Sequence, residues 1–321
     1  MLKEHVPLNA EARKGLEGLD EAVVYINGTF YKGKDAHLSP FDHGLQGGDG
    51  VFDVAGVKFG QLYRLESHID RLYRSAAAWA IEIPTPRAEL REAVIETVRR
   101  NNVREGLTKY VVTRGVGEPV THPRAIYTKP TVIIYARPWS PTLKDPQKQI
   151  LEVGGRAMFT STRRIPPGCG LESRVKSLNY FVSIAMFLEA ENAGVDVPLA
   201  MDVNGYVAEG GHYNIFVVRK GELITPPPIN ILEGIQREAM LEIAQELKIP
   251  HREVFFTQYD CYTADEVFVV GTGGAGLRLV PLAIIDGRKI GTIPAKDWPV
   301  MRRMEKYYWE VDWPKHATNV F

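Results

Sequence analysis

The chain has little that would tie it to a membrane, a nucleic acid or a disulfide scaffold. Its 321 residues contain two cysteines, Cys169 and Cys261, too few for a disulfide framework or for a zinc site by themselves. Its 39 basic and 39 acidic residues cancel, so no net field attracts DNA, RNA or an anionic lipid surface. Any bound anion must be captured by local geometry. No apolar run reaches the roughly 20 residues that span a bilayer. The opening stretch Met1-Leu2-Lys3-Glu4-His5-Val6-Pro7 shows no signal-peptide h-region, and a cytoplasmic protein is expected. No internal repeat or low-complexity tract is visible. What is present is length enough for two domains, each able to bury its own core.

Strand and helix signals alternate through the first third. Val23-Val24-Tyr25-Ile26, Asn27-Gly28 and Thr29-Phe30-Tyr31 spell a hairpin with a type I′ turn. Val51 to Val57 and Gln61 to Leu65 make a second hairpin turning at Lys58-Phe59-Gly60. The spacing of Ile69, Leu72 and Tyr73 predicts a helix over residues 66–79, and Thr85-Pro86 predicts the N-cap and first residue of another reaching Asn101. Strands are expected at Lys109 to Thr113 and Thr131 to Tyr135. Three prolines between Arg137 and Pro146 mark a linker. The expected organisation is therefore a small N-terminal α+β domain over 1–137, a linker over 138–146 and a larger strand-rich domain over 147–321. In the latter, a helix from Ser177 to Asn192 carries Leu178, Phe181, Ile184, Ala185 and Leu188 on one face, and a hairpin through Leu199 to Asp202 delivers Glu209 at the end of its second strand.

Chemistry concentrates at fixed distances behind one lysine. Lys176 stands in Arg174-Val175-Lys176-Ser177-Leu178-Asn179-Tyr180, and Glu209 in Val207-Ala208-Glu209-Gly210-Gly211-His212-Tyr213-Asn214. Two glycine-bearing segments follow, Leu232-Glu233-Gly234-Ile235-Gln236-Arg237 and Val270-Gly271-Thr272-Gly273-Gly274. The first opens a helical pattern, so free backbone N–H groups and the helix dipole would face an anion there. A lysine able to form an imine, a carboxylate to keep a ring nitrogen protonated and a phosphate cradle are together what pyridoxal phosphate requires. The glycine loop at 271–276 is not a dinucleotide fingerprint, because no strand, glycine turn and helix unit surrounds it.

With these motifs in place, the chain resembles the fold-type IV pyridoxal-phosphate enzymes: branched-chain and D-amino-acid aminotransferases, aminodeoxychorismate lyase and (R)-selective amine transaminases. The similarity runs from about Tyr25 to Gly291. Asp42-His43-Gly44 with Gly48-Asp49-Gly50-Val51-Phe52 matches the family's early active-site strand, and His68-Ile69-Asp70-Arg71-Leu72 the helix whose arginine binds the cofactor phosphate. The resemblance implies that Lys176 is the catalytic lysine, Glu209 the partner of the pyridine nitrogen and Asn214 the asparagine after it. Arg71, Gly234, Ile235, Gln236 and Thr272 would hold the phosphate, with Arg71 a bidentate partner. The family commonly has threonine where this chain has Gln236. Tyr180, Gly211, His212 and Tyr213 complete the expected cofactor surroundings.

The pocket departs from the best-known members. Branched-chain enzymes commonly carry a tyrosine and an arginine where this chain has Gly47 and Gly56, and a Tyr-x-Arg motif where it has Leu107-Thr108-Lys109. Phe52, Val54, Gly273 and Gly274 are expected to line the pocket beside them, with Lys109, Arg124 or Arg278 supplying any replacement cation. The reading that follows is a homodimeric transaminase with an enlarged pocket, moving an amino group from an (R)-configured, bulky amine to a keto acid such as pyruvate. Alternatives are a branched-chain or D-amino-acid aminotransferase and, behind them, a lyase of the aminodeoxychorismate type. Donor profiling separates them.

Overall fold

The computed structural model describes residues 18–139, 150–164, 172–273 and 279–321. Two sheets organise it. The first contains β1 (Val23–Ile26), β2 (Thr29–Lys32), β3 (Gly50–Lys58), β4 (Gln61–Tyr63), β5 (Gly106–Thr113) and β6 (Thr131–Pro138), with a last strand contributed from the far end of the chain. All its pairings are antiparallel. Asn27 and Gly28, at φ 48° and 96°, form the expected left-handed turn of the first hairpin, and Phe59 and Gly60, at 55° and 70°, that of the second.

Three helices attend this sheet. The short α1 (His43–Gly47) occupies the first part of the early motif, where Asp42 caps it by accepting from Gly44 N at 2.8 Å, and the motif's strand is β3, starting at Gly50. Helix α2 (Leu65–Ala78) buries Leu65, Ile69, Leu72 and Ala76 at helical spacing against β3, each large aliphatic contributing about 1.5–3 kcal/mol. Helix α3 (Arg87–Arg100) begins one residue later than Thr85-Pro86 suggests, with Pro86 at its N-cap.

The second sheet holds β7 (Gly155–Arg164), β8 (Val197–Asp202), β9 (Val207–Gly210), β10 (Asn214–Arg219), β11 (Glu222–Thr225), β12 (His251–Glu253), β13 (Glu266–Val270), β14 (Leu279–Ile285) and β15 (Arg288–Lys289). The strands β10, β13 and β14 are buried almost throughout, as their unbroken Val, Ile and Phe runs require. Helix α4 (Phe181–Asn192) starts four residues later than expected, because Ser177 bridges Val51 of β3 and holds its segment extended. Its supposed core face is turned outward: Phe181 is 80% exposed, Ile184 53% and Leu188 55%, while Ser183, Met186 and Ala190 are buried.

Helix α5 (Ile235–Glu246) and helix α6 (Pro299–Tyr307) pack together, and a π-helical turn, Tyr308–Asp312, extends α6. The chain then returns to the first sheet, where β16 (Ala317–Asn319) pairs with β4. A cut at 138–146 therefore does not separate the sheets cleanly, and residues 140–146 of the expected linker lie outside the described residues. Among the described residues, no helix is long and apolar enough to cross a membrane.

Candidate active site

Lys176 stands on an extended segment annexed to β3. Its carbonyl accepts from Phe52 N at 2.9 Å, its N–H donates to Ser75 Oγ at 3.2 Å, and Leu178 N donates to Gly50 O at 2.9 Å. The backbone is thus fixed on both sides of the lysine. The side chain emerges between two rings: Nζ donates to Tyr180 Oη at 2.8 Å and lies 4.7 Å from the Phe52 ring centre.

Glu209, on β9, faces the same space and is 5% exposed. Arg164 Nη2 lies 2.9 Å from one carboxylate oxygen, and Leu232 N donates to the other at 3.1 Å. Burial pushes this carboxyl above its ordinary range, against the opposing pull of Arg164, the Leu232 N–H and Lys176. A carboxylate so placed is stabilised by one more cationic N–H donor, which is what a protonated pyridine offers. Asn214 pairs with Glu209 across the β9–β10 turn and donates Nδ2 to Leu232 O at 3.0 Å.

Arg71 is committed differently from the expected bidentate anion grip. Its Nε and Nη2 donate to the two oxygens of Asp53 at 2.7 and 2.8 Å, and His68 Nδ1 lies 2.8 Å from the same carboxylate. Burial would raise the Asp53 carboxyl, but the Arg71 guanidinium and His68 hold it far below the usual carboxylate range. Nη1 of Arg71 donates to Glu233 O at 2.9 Å, so the arginine is clamped between β3 and the turn before α5, with the rest of its fork left for an anion. At that turn Gly234 caps α5 without a side chain, and a Cβ there would collide with Asn214 Oδ1. The first N–H groups of α5 are then available to a ligand.

Two lobes of one cleft meet at Lys176, Tyr180, His212, Asn214 and Leu232. The smaller, about 140 Å³, is walled by Glu209, Gly211, Tyr213 and Arg164. The larger, about 390 Å³, is lined by Arg71, Gly234, Ile235, Gln236 and Thr272 together with Phe52, Val54, Leu107, Lys109 and Gly273. Both sheets contribute to it. Gly47, Gly56 and Arg124 do not line it. Gly47 ends α1 on the surface, Gly56 is buried opposite Leu107, and Arg124 lies on the exposed loop between β5 and β6. Gly274 and Arg278 lie outside the described residues.

Sequence reasoning missed Arg137 and Tyr135, which share a face of β6 with the pocket. Two-residue alternation would have found Arg137 had the strand been extended past Tyr135. It also missed Arg164, and it left Asp53 and His68 without a role. Lys109 is packed against Phe52, its Nζ 4.2 Å from the ring centre, and makes no ion pair among the described residues; neither does Arg137. Burial lowers the Lys109 ammonium's pKa, and Lys176 and Arg137 lower it further.

The Amino-transferase class IV model matches residues 50–280. A Methanocaldococcus jannaschii protein, itself provisionally named a branched-chain-amino-acid aminotransferase, is 43% identical over 268 residues, 83% of this chain and 89% of that protein. The branched-chain-amino-acid aminotransferase of Escherichia coli K12 is 32% identical over 291 residues, 89% of this chain and 91% of its own. A crystal structure of the Escherichia coli branched-chain enzyme superposes with a TM-score of 0.85 at 30% identity, covering 94% of this chain and all (100%) of that one. A second solved branched-chain amino acid aminotransferase, crystallised with pyridoxamine 5'-phosphate, gives 0.83 at 30% identity, with 94% and 100% covered. The chain belongs to the class IV aminotransferases and has their fold. It is a pyridoxal-phosphate-dependent aminotransferase, acting on an amino donor and a keto-acid acceptor.

Proposed function

We propose that the chain moves the amino group of an amino acid with an apolar, branched-chain-type side chain to a keto acid, and that Lys109 and Arg137 hold the substrate carboxylate. The observation that carries this reading is the pair of cations on the pocket wall, Lys109 largely withdrawn from water and Arg137 at the exposed end of β6, neither in an ion pair with a carboxylate of the described residues. Beside them, Phe52, Val54, Leu107 and Ile184 offer apolar surface for a side chain. The enlarged-pocket argument for an (R)-amine rested on Gly47 and Gly56, which stand away from the wall, and on Leu107 and Lys109, which line it, but the similar proteins carry branched-chain names.

Pyridoxal phosphate, when bound, supplies an electrophilic carbon for the amino group and a ring that withdraws electrons from the substrate carbon. The residues divide the remaining work. Lys176, aimed by Tyr180 and Phe52, moves the proton at the substrate carbon. Glu209 keeps the ring nitrogen protonated, with Arg164 and Leu232 N fixing its carboxylate. Arg71, the α5 N-terminus and Thr272 hold the phosphate. The exposed Phe181, Ile184 and Leu188 support a homodimer in which α4 is covered by a second copy.

A donor panel of L- and D-amino acids and (R)- and (S)-1-phenylethylamine, each with a keto acid, tests the reading. Branched-chain amino acids are expected to give the highest kcat/KM. Arg137→Ala is expected to raise the KM for them about tenfold, as loss of one charged hydrogen bond does, while cofactor retention stays unchanged. Faster conversion of (R)-1-phenylethylamine than of every amino acid overturns it.

A further inference from the structure

Gln236, the second residue of α5, is 3% exposed and lines the larger lobe, where its carboxamide lies 3.4 Å from Tyr308 Oη. Tyr308 is fully buried, and among the described residues that carboxamide is the phenol's one polar partner. A carboxamide has two ends of opposite polarity, an NH2 that donates and a carbonyl that accepts. With its NH2 toward Tyr308, Gln236 turns its carbonyl to the cleft and repels an anion. Turned over, it accepts from the phenol O–H and offers its NH2 to the cleft. An anion in the cleft selects the second arrangement, which also gives the buried phenol an acceptor.

Tyr308 is itself anchored from two directions. Its ring packs edge-on against Tyr63, with centroids 5.2 Å apart. Its turn ends at Asp312, which accepts from Tyr63 Oη and, at 3.0 Å, from Arg64 Nη2. Tyr308 and Asp312 both lie past residue 280, where the match to the family model ends. We propose that Tyr308 is a positioning residue that turns the Gln236 carboxamide toward the cofactor phosphate, making the C-terminal segment part of the cofactor's anchorage. The proposal rests on the assignment of the Gly234–Gln236 turn to the phosphate made above.

The test titrates the cofactor-free protein with pyridoxal phosphate and, separately, with pyridoxal, which has the ring and aldehyde but no phosphate. Tyr308→Phe is expected to raise the Kd for pyridoxal phosphate about tenfold and to leave that for pyridoxal unchanged. Gln236→Ala should show the same selective loss, and the double variant should be no weaker than Gln236→Ala alone. In the Gln236→Thr background, whose compact hydroxyl needs no phenol to aim it, Tyr308→Phe should have no effect. Gln236→Glu keeps an acceptor for Tyr308 but lacks the N–H, and it should bind pyridoxal phosphate more weakly than Gln236→Ala, a comparison that stands even if Tyr308→Phe fails to fold. Unchanged pyridoxal-phosphate binding in Tyr308→Phe, equal losses for both ligands, or a loss that persists in the Gln236→Thr background would each overturn the proposal. If the unsubstituted protein binds the two ligands alike, the phosphate assignment of the turn falls and takes the proposal with it, an outcome distinguishable because no substitution is involved.

Discussion

Lys176 and Lys109 flank the same ring, Phe52, with Nζ 4.7 and 4.2 Å from its centre, yet among the described residues only Lys176 has a hydroxyl partner. Borohydride treatment of the cofactor-loaded protein followed by peptide mapping should therefore place the pyridoxyl group on Lys176, and Lys176→Ala should abolish aminotransfer; an adduct on Lys109 would reverse the assignment. Glu209 gives a prediction about pH. Its folded-state pKa is raised by burial, so its contribution to cofactor-free stability is fully present below the unfolded value of about 4.3 and is lost as pH rises through the folded value. Melting curves of the cofactor-free protein across that range should show a decline that Glu209→Gln removes. Asp53 has the opposite sign: its folded pKa is depressed, so its contribution is present above about pH 4 and fades only in strong acid. Both key residues were legible in the sequence because a lysine and a carboxylate at motif spacing need no tertiary information. Arg164 was not, because what brings it to the cleft is strand register, and Arg137 needed β6 to be read past Tyr135.

The turn Gly234–Gln236 and helix α4 show the same division among elements. The turn could be read locally: a glycine ahead of a helical pattern leaves backbone donors free, and the structure adds that Asn214 fills the place of any Cβ. Gly234→Ala should thus displace Asn214 and weaken pyridoxal-phosphate binding, measured by dialysis, with little change in the far-ultraviolet circular dichroism. The apolar face of α4 was equally visible, but periodicity says only that a face is apolar, not whether its own chain covers it. If the proposed homodimer forms through α4, Phe181→Asp, at a site 80% exposed, should leave the fold intact and lower the sedimentation coefficient to that of a single chain; an unchanged coefficient would argue against α4 as the contact.

Across the whole molecule, the end of the chain does what its sequence showed no sign of. Asp312 ties Tyr63 and Arg64 to the π-helical turn, and Trp313 stacks on Tyr63 at 4.8 Å. No hydrophobic period announces a three-residue edge strand such as β16, so the division of the chain at a proline-rich linker overlooked it. Deleting residues 317–321 should lower the melting temperature by roughly 2–4 °C for each kcal/mol lost, seen by calorimetry, while the second sheet's signals persist. The pairing of β16 with β4 also sets a schedule. Gln61 and Asn319, hydrogen-bonded side by side, are 258 residues apart in the chain. At a synthesis rate of about 5–20 residues per second, on the order of ten to fifty seconds pass between the appearance of one partner and of the other. Throughout that interval β4 is a bare edge on the nascent chain, open to pairing with any other extended segment nearby. The first sheet to be made is the last to be finished.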